Sequence, residues 1–382
     1  HGENAGQCPN HKKPLVRRSE PCYFFKLSAF QDRLLKFLKE TPDFVQPESR
    51  RNEMIGFIEA EGLQDLNISR AGEEWGFRLP FDPQFTTYVW FDALLTYITG
   101  IGYGDDEATF QKNWPCDTHF IGKDITRFHT HIWPAMLWAA DLPAPTKVFS
   151  HGFITVDGQK MSKSLDNVLD PVKDLVEKFK VPLDAYRYFF LRECPFHDDG
   201  DYTETRFKEA YDSALANNLG NMLSRVITIP AKSYDGVLYG TANVTPQSTV
   251  EHLNLPEFVA TVRGHVEACR YNQALQAIVQ DFLTPTNRYI DTNKPWSMVK
   301  TDKEAAKLVL LNMAEALRIA AILLKPFIPK SAETIYKSVN FPKPWDQVTY
   351  ADATTLQALP EDFRVTAELI DGKPKQLFPR IG

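Results

Sequence analysis

The chain has 382 residues, 43% hydrophobic and 24% charged, a balance that suits a soluble globular protein of two or three domains. Its formal net charge of −6 excludes a surface that is basic throughout, so any RNA contact has to come from a local patch. Five cysteines at irregular spacing (Cys8, Cys22, Cys116, Cys194, Cys269) argue against a disulfide framework and for a reducing compartment, and no window has the apolar length of a membrane span.

Residues 1–70 read as a small mixed segment. His1-Gly2-Glu3-Asn4 carries no signal-peptide pattern, and no Met opens the chain. Cys8-Pro9-Asn10-His11, with Cys22 beyond, is similar to a degenerate zinc knuckle. A structural zinc wants four ligands in paired clusters, so these three candidates read as a loop with leftover thiols and no zinc is expected. Ser28 is expected to cap a helix with apolar positions Phe30, Leu34, Leu35 and Leu38 at helical spacing. Pro47 and Glu48-Ser49-Arg50-Arg51 lead into a second helix that stops near Gly62.

Residues 71–165 alternate apolar runs with helical stretches, which predicts an α/β layer with parallel strands. Tyr88-Val89-Trp90-Phe91 reads as a strand, with Asp92 capping a helix through Tyr97. His119-Phe120-Ile121 reads as a second strand, ending in Gly122-Lys123-Asp124 and followed by a helix over 125–140 bent at Pro134. Lys147-Val148-Phe149 reads as a third. Phe153 to Val156, Asp157-Gly158 and Gln159 to Met161 predict a hairpin, because Asp-Gly favours the turn that matches strand twist.

Residues 166–205 read as a helical connector, with helices opened by Asp170-Pro171 and running over 183–193. Residues 206–350 read as an antiparallel helical bundle. Its first long helix runs from Thr203 to about Ile229 with the stripe Phe207, Tyr211, Ala214, Leu215, Leu219, Met222, Leu223 and Val226. Further helices are expected near 257–291, 303–326 and 330–338. From 339 the chain is rich in proline and polar residues and reads as a tail over the body, with 351–382 as its C-terminal part.

Chemistry concentrates at Lys160-Met161-Ser162-Lys163-Ser164, which places two lysines and two hydroxyls on a short loop at a sheet edge. Such a loop can grip the phosphates of a nucleotide while their charge shifts, although an isolated lysine-serine run can equally be a solvated turn. The Gly122-Lys123-Asp124 corner lies at the carboxyl end of a strand, where open α/β sheets bind nucleotides. A glycine there admits a ligand to the backbone. Asp124 can accept from ribose hydroxyls, cap the next helix, or do both.

The Lys160–Ser164 run matches the ATP-binding signature of class I aminoacyl-tRNA synthetases. The chain as a whole resembles the methionyl-tRNA synthetases of the bacterial or organellar type from near residue 20 to its end. The stretches that carry the resemblance are Tyr23 to Ser28, Tyr88 to Ala93, His119 to Ile125, His151-Gly152-Phe153, Lys160 to Ser164, Lys294-Pro295-Trp296, and Leu377 to Ile381. The resemblance implies the C-terminal half of a Rossmann-like catalytic domain over 71–165, preceded by the remainder of a connective insertion and followed by an α-helical anticodon-binding domain.

It also implies site roles. Lys160 and Lys163 are implied as catalytic, with Lys163 the more important. Gly122, Asp124, His151, Met161, Ser162, Lys163 and Ser164 are implied at ATP. Trp90 and Tyr97, with His129, are implied to line a methionine pocket, which should be apolar and aromatic for a thioether. Taken alone, Trp90 would read as core and His129 as packing. Related enzymes often carry proline at the position of Leu94, so the local pocket shape can differ. Asn221 and Arg225, four apart on one helix, and Trp296 match an anticodon-binding trio. ATP is implied as substrate, with Mg2+ held mostly by phosphates and water, and tRNA(Met) and methionine as partners.

The second class I signature, His-Ile-Gly-His, does not occur in the sequence. The chain is therefore expected to begin inside the connective insertion, with the first strands supplied by an upstream segment or a second polypeptide. Without them a parallel sheet would expose an unpaired edge. The expected function is ATP-dependent ligation of methionine to tRNA in the cytoplasm or an organelle matrix. A tRNA-binding fragment without catalysis, or a synthetase for another apolar amino acid, are the alternatives.

Overall fold

A computed structural model of the chain describes residues 14, 20–73, 75–163, 166–238, 254–357, 365, 369–370, 373–374 and 376–381. Two compact units divide it, residues 1–150 and 151–382. Cys8, His11 and Ser164 lie outside the described residues.

Unit 1 opens with β1 (Phe24–Phe25) and α1 (Gln31–Glu40). Leu34 and Leu38 fall one turn apart on α1, and both are buried. Ser28 does not cap this helix. It sits in a preceding 3-10 turn, and its hydroxyl donates to the Asp65 carboxylate at 2.6 Å. β2 (Val45–Gln46) leads into α2 (Glu48–Glu61), which ends at Gly62 with φ +69°, a left-handed value that glycine adopts without strain.

A small antiparallel sheet missed by the sequence pattern follows. β3 (Leu66–Asn67) pairs with β1, and β4 (Ser69–Ala71), β5 (Arg78–Leu79) and β6 (Asp82–Thr87) form a ribbon of order β4-β6-β5. The chain then enters α3 (Val89–Thr99) at once. The expected strand over 88–91 is thus the first turn of a helix, and Asp92 lies within that turn rather than at its cap. Aromatic and β-branched residues suggested a strand. The buried pair Leu94 and Ile98, four apart, shows the period that won.

After α4 (Glu107–Asn113), β7 (His119–Gly122) is followed by a π-helical turn over Phe128–Ile132 and by α5 (Trp133–Ala139). Pro134 lies inside a helical run that continues from residue 126 through the π turn and α5, and the wide π turn stands just where the proline withholds its N–H. β8 (Val148–His151) lies between β2 and β7, parallel to β2 with Val45 opposite Val148. Leu34, Val45, Ile121, Trp133 and Val148 share the core of this unit.

Unit 2 begins with the hairpin β9 (Ile154–Val156) and β10 (Gln159–Lys160). Asp157 at φ +50° and Gly158 at φ +74° make the expected turn. Asp170 caps a helical segment over Pro171–Glu177 by accepting from the N–H groups of Val172 and Lys173. α6 (Leu183–Glu193) follows, then β11 (Gly200–Tyr202), which pairs parallel with β9.

A continuous helical run then extends through α7 (Glu204–Ala210), a π-helical stretch over Tyr211–Gly220 and α8 (Asn221–Ser233), with Thr203 as the cap. The expected helix over 257–291 is two. α9 (Leu255–Glu267) stops before Cys269 at φ +56°, and α10 (Tyr271–Gln276) continues through a π stretch into α11 (Thr284–Asn293). α12 (Pro295–Met298), α13 (Lys303–Leu324) and α14 (Pro329–Ser338) complete the bundle.

α13 is the axis of unit 2, buried almost throughout. Its Arg318 donates to Glu315 at 2.9 Å and to the carbonyls of Asp352 and Thr355, so a buried ion pair pins the segment beyond the bundle. Phe341, Val348 and Phe378 join the core, which makes this region a packed element. β12 (Leu369–Ile370) and β13 (Lys373–Pro374) pair within it. No helix among the described residues is long and apolar enough to cross a membrane.

Candidate functional site

In unit 1 the structure joins Tyr97 to His129, and Trp90 stands two turns earlier on the helix of Tyr97, against Phe128 next to His129. Trp90 and Tyr97 lie seven apart on α3 and share one face, with buried Leu94 between them. Trp90 stacks on Phe128 at 4.8 Å. The Tyr97 hydroxyl lies 2.9 Å from Nε2 of His129, whose Nδ1 is 3.0 Å from the carbonyl of Ile125. A carbonyl only accepts, so Nδ1 carries the proton and Nε2 accepts from Tyr97.

Burial holds the His129 imidazole below its ordinary pKa and raises that of the Tyr97 hydroxyl. His119, whose ring lies 4.3 Å from that of Tyr97, is pushed down to about 4 by burial and by the neighbouring His129. Its Nε2 accepts from the Trp133 indole at 3.3 Å. At pH 7 this cluster is aromatic and neutral. It offers polarizable contacts to an apolar side chain and a hydroxyl to orient it. His119 and Trp133 were not expected in this cluster, because alternation along a short strand says nothing about a ring two elements away.

The Gly122-Lys123-Asp124 corner lies on the same unit. Gly122 closes β7, and Lys123–Ile125 form a 3-10 turn. Asp124 is exposed in that turn and caps no helix, so of its two expected roles only the ligand-facing one is open. The Thr126 hydroxyl meets that of Ser150 at 2.7 Å, tying the turn to the end of β8.

The Lys160 loop belongs to unit 2. Lys160 ends β10 with its ammonium 4.8 Å from the centre of the Phe153 ring, and Lys163 is exposed. Asn167 clasps the loop. Its side chain accepts from Ser162 N–H at 2.8 Å and donates to the Lys160 carbonyl at 3.2 Å. Asp201 holds the hairpin from the other side, accepting from the Thr155 hydroxyl at 2.6 Å and from Gly158 N–H at 2.8 Å. Neither residue was singled out from the sequence, where short polar side chains that bond backbone leave no periodic trace.

Behind the loop an apolar cavity of about 470 Å³ is lined by His151, Phe153, Lys160, Met161, Phe190 and Cys194 among others. His151 stacks on Phe196 at 5.5 Å. A Cβ on Gly152 would fall 2.0 Å from the carbonyl oxygen of Asp198, so only glycine permits this close approach. Burial raises the Cys194 thiol to about 11, which keeps it unreactive.

In the bundle, Asn221 donates to the carbonyl of Asn217 at 3.0 Å. Arg225 lies 5.2 Å from the centre of the Trp296 ring and donates to Asp291 at 2.7 Å. Trp296 is 40% exposed in α12, next to Lys294 at φ +49°. Pro295 therefore opens a new helical turn as well as ending α11. Arg225 and Trp296 meet, and Asn221 lies one turn before Arg225 on α8.

Two family models match the chain. One, described as tRNA synthetases class I (M), covers residues 4–227, and the other, the anticodon binding domain of methionyl tRNA ligase, covers residues 240–379. A methionine–tRNA ligase from Caldanaerobacter subterraneus is 43% identical over 98% of this chain and 57% of its own length. One from Nostoc sp. is 41% identical over 98% of this chain and 71% of its own. Methionyl-tRNA synthetase of Mycobacterium tuberculosis bound by methionyl-adenylate superposes with a TM-score of 0.85 at 36% identity, covering 98% of this chain and 72% of that one. The chain thus spans little more than half the length of some of its relatives.

Proposed function

The chain belongs to the methionyl-tRNA synthetase family, and on that premise we propose that it takes part in ligating methionine to tRNA(Met) through a methionyl-adenylate. The observation that carries this reading is the neutral Tyr97–His129 pair with the Trp90–Phe128 stack beside it in the chain, aromatic groups that suit an uncharged thioether and offer no counter-ion to a charged side chain.

In the first step a methionine carboxylate oxygen bonds to the α-phosphorus of ATP, and the bond to pyrophosphate breaks. Negative charge grows on the leaving phosphates. Lys160 and Lys163 are proposed to bind them more tightly in the transition state than in the ground state, which lowers the barrier. Ser162 and Ser164 add hydroxyl donors, and Met161 and His151 flank the nucleotide. Gly122 and Asp124 are proposed to receive the ribose. In the second step a hydroxyl of the terminal ribose of tRNA attacks the adenylate carbonyl and AMP leaves.

Magnesium accompanying ATP would neutralise phosphate charge. No group of three or more His, Cys, Asp or Glu among the described residues is placed to hold a metal ion, and a magnesium bound through phosphates and water needs none. Because no His-Ile-Gly-His occurs in the sequence, we also propose that a segment bearing that signature completes the nucleotide site. Asn221, Arg225 and Trp296 are proposed to read the anticodon, with Trp296 as the stacking platform. The working compartment is proposed to be cytoplasm or an organelle matrix.

The test is charging. Together with the segment that bears the His-Ile-Gly-His signature, and incubated with ATP, methionine and tRNA(Met), the protein should form an alkali-labile methionyl ester on the RNA. Anticodon-dependent binding without any ester would favour a tRNA-binding module instead.

A further inference from the structure

A cavity of about 640 Å³ lies on unit 1 between α1 and the segment that follows α5, and it shares no residue with the Tyr97–His129 pair or the Gly122 corner. Arg33, Lys36, Phe37 and Glu40 line it at spacings of three and four, so one face of α1 makes its wall. Phe37 sits at the middle of that face. Its ring centre lies 4.6 Å from that of Phe44 and 5.4 Å, edge to face, from that of Trp138, which gives the cavity an aromatic floor. The Arg33 guanidinium lies over the Trp138 ring, 4.1 Å from its centre, and among the described residues no carboxylate pairs with it.

The charges on this wall are sorted by end. Arg33 and Lys36 make a basic pole, and Glu40 with Asp43, just past the helix, makes an acidic one. Lys36 meets Glu40 only at 3.9 Å, with both side chains largely exposed, a contact of little worth that a better partner displaces. Lys39 is taken by Glu59 of α2 at 2.6 Å, and Asp32, Asp141 and Lys147 do not line the cavity. At 1.5 Å per residue, the seven residues from Arg33 to Glu40 set the poles about 10 Å apart. A ligand of one sign is repelled at one pole, and a wholly apolar ligand would strip water from all four charges without replacing it. An extended chain covers about 10 Å in three residues. We propose that this cavity docks an extended segment of a partner protein that carries a carboxylate and a cation three residues apart, with apolar side chains between them. The carboxylate meets Lys36 and the edge of the guanidinium that Trp138 holds flat, the cation meets Glu40 and Asp43, and the apolar side chains cover Phe37 and Phe44. The proposal does not depend on the ligase reading.

Calorimetric titration of the intact protein with three blocked peptides tests it. Acetyl-Lys-Leu-Leu-Glu-amide has the required spacing, acetyl-Leu-Lys-Glu-Leu-amide has the same residues with the charges adjacent, and acetyl-Lys-Leu-Leu-Lys-amide has two cations. The first should saturate with a Kd below about 1 mM, and the other two should bind about tenfold more weakly or worse. Arg33→Gln should weaken the first peptide about tenfold without moving Tm, and Arg33→Glu should reverse the order of the first and third. Absence of saturable binding by the first peptide overturns the proposal. So does equal binding of all three, or a preference that Arg33→Glu leaves unchanged.

Discussion

Tyr97 donates its hydroxyl proton to Nε2 of His129 across 2.9 Å, and the Ile125 carbonyl on the other ring nitrogen fixes that direction. The pair thereby holds one tautomer and one ring orientation at the wall of the proposed methionine pocket. Tyr97→Phe should leave a buried imidazole nitrogen without its donor, at a cost of about 1–3 kcal/mol. Steady-state kinetics should show the KM for methionine rising roughly tenfold, with a smaller change in the KM for ATP.

Lys163→Ala should slow adenylate formation several hundredfold, about 3–4 kcal/mol of barrier, if the lysine acts on developing charge. Rapid-quench measurement of adenylate formation gives the rate and the ATP affinity together. A fall in affinity alone, with the rate unchanged, would assign Lys163 to ground-state binding.

Asn167 joins Ser162 N–H to the Lys160 carbonyl and so shapes the loop without touching its lysines' charges. Asn167→Ala should lower the rate of adenylate formation up to about thirtyfold, through two lost hydrogen bonds of roughly 1 kcal/mol each, while the KM for methionine stays put. Asn167→Asp keeps the acceptor for Ser162 and should recover part of the rate.

Much of this arrangement was legible in the sequence where the signal is local. Asp157-Gly158 announces its turn, Asp170-Pro171 its cap, and the α6 boundaries follow from apolar spacing. Contacts between distant residues were not legible. β11 pairs with β9 across more than forty residues, and nothing in Gly200-Asp201-Tyr202 marks it as a strand. The segment Tyr88 to Phe91 misled because side chains of high β-propensity occupy the first turn of α3, whose helical state is set by what Leu94 and Ile98 bury. At the site, residue types indicated Trp90, Tyr97 and His129 through family resemblance. The roles of Asn167 and His119 come from hydrogen bonds and ring contacts that only the folded chain shows.

The imidazoles of unit 1 predict an acid-sensitive fold. Burial lowers His119 and His131 from 6.5 to about 4, so the unfolded chain binds protons there that the folded chain refuses. Their contribution is fully present above pH 6.5 and is lost as pH falls from about 6.5 toward 4, by at most about 1.4 kcal/mol per pH unit for each ring. Thermal unfolding between pH 7.5 and 5 should show Tm falling through this window. His131→Phe, which cannot take up a proton, should flatten the slope.

Trp296→Ala should weaken binding of tRNA(Met) about tenfold by removing a stacking surface and the ring that supports Arg225. Arg225→Gln should instead reduce discrimination between anticodons. Filter binding with matched and altered anticodons separates the two effects, and equal losses for every RNA from Arg225→Gln would leave only a phosphate contact for this residue.

On the proposed function this chain builds the methionine-selective half of an activating site, and amino-acid-dependent exchange of pyrophosphate into ATP reads that selectivity without the RNA. With the intact protein, methionine should stimulate exchange strongly, and leucine and isoleucine at the same concentration at least tenfold less. Equal stimulation by all three, or a stronger response to leucine or isoleucine, would contradict the account.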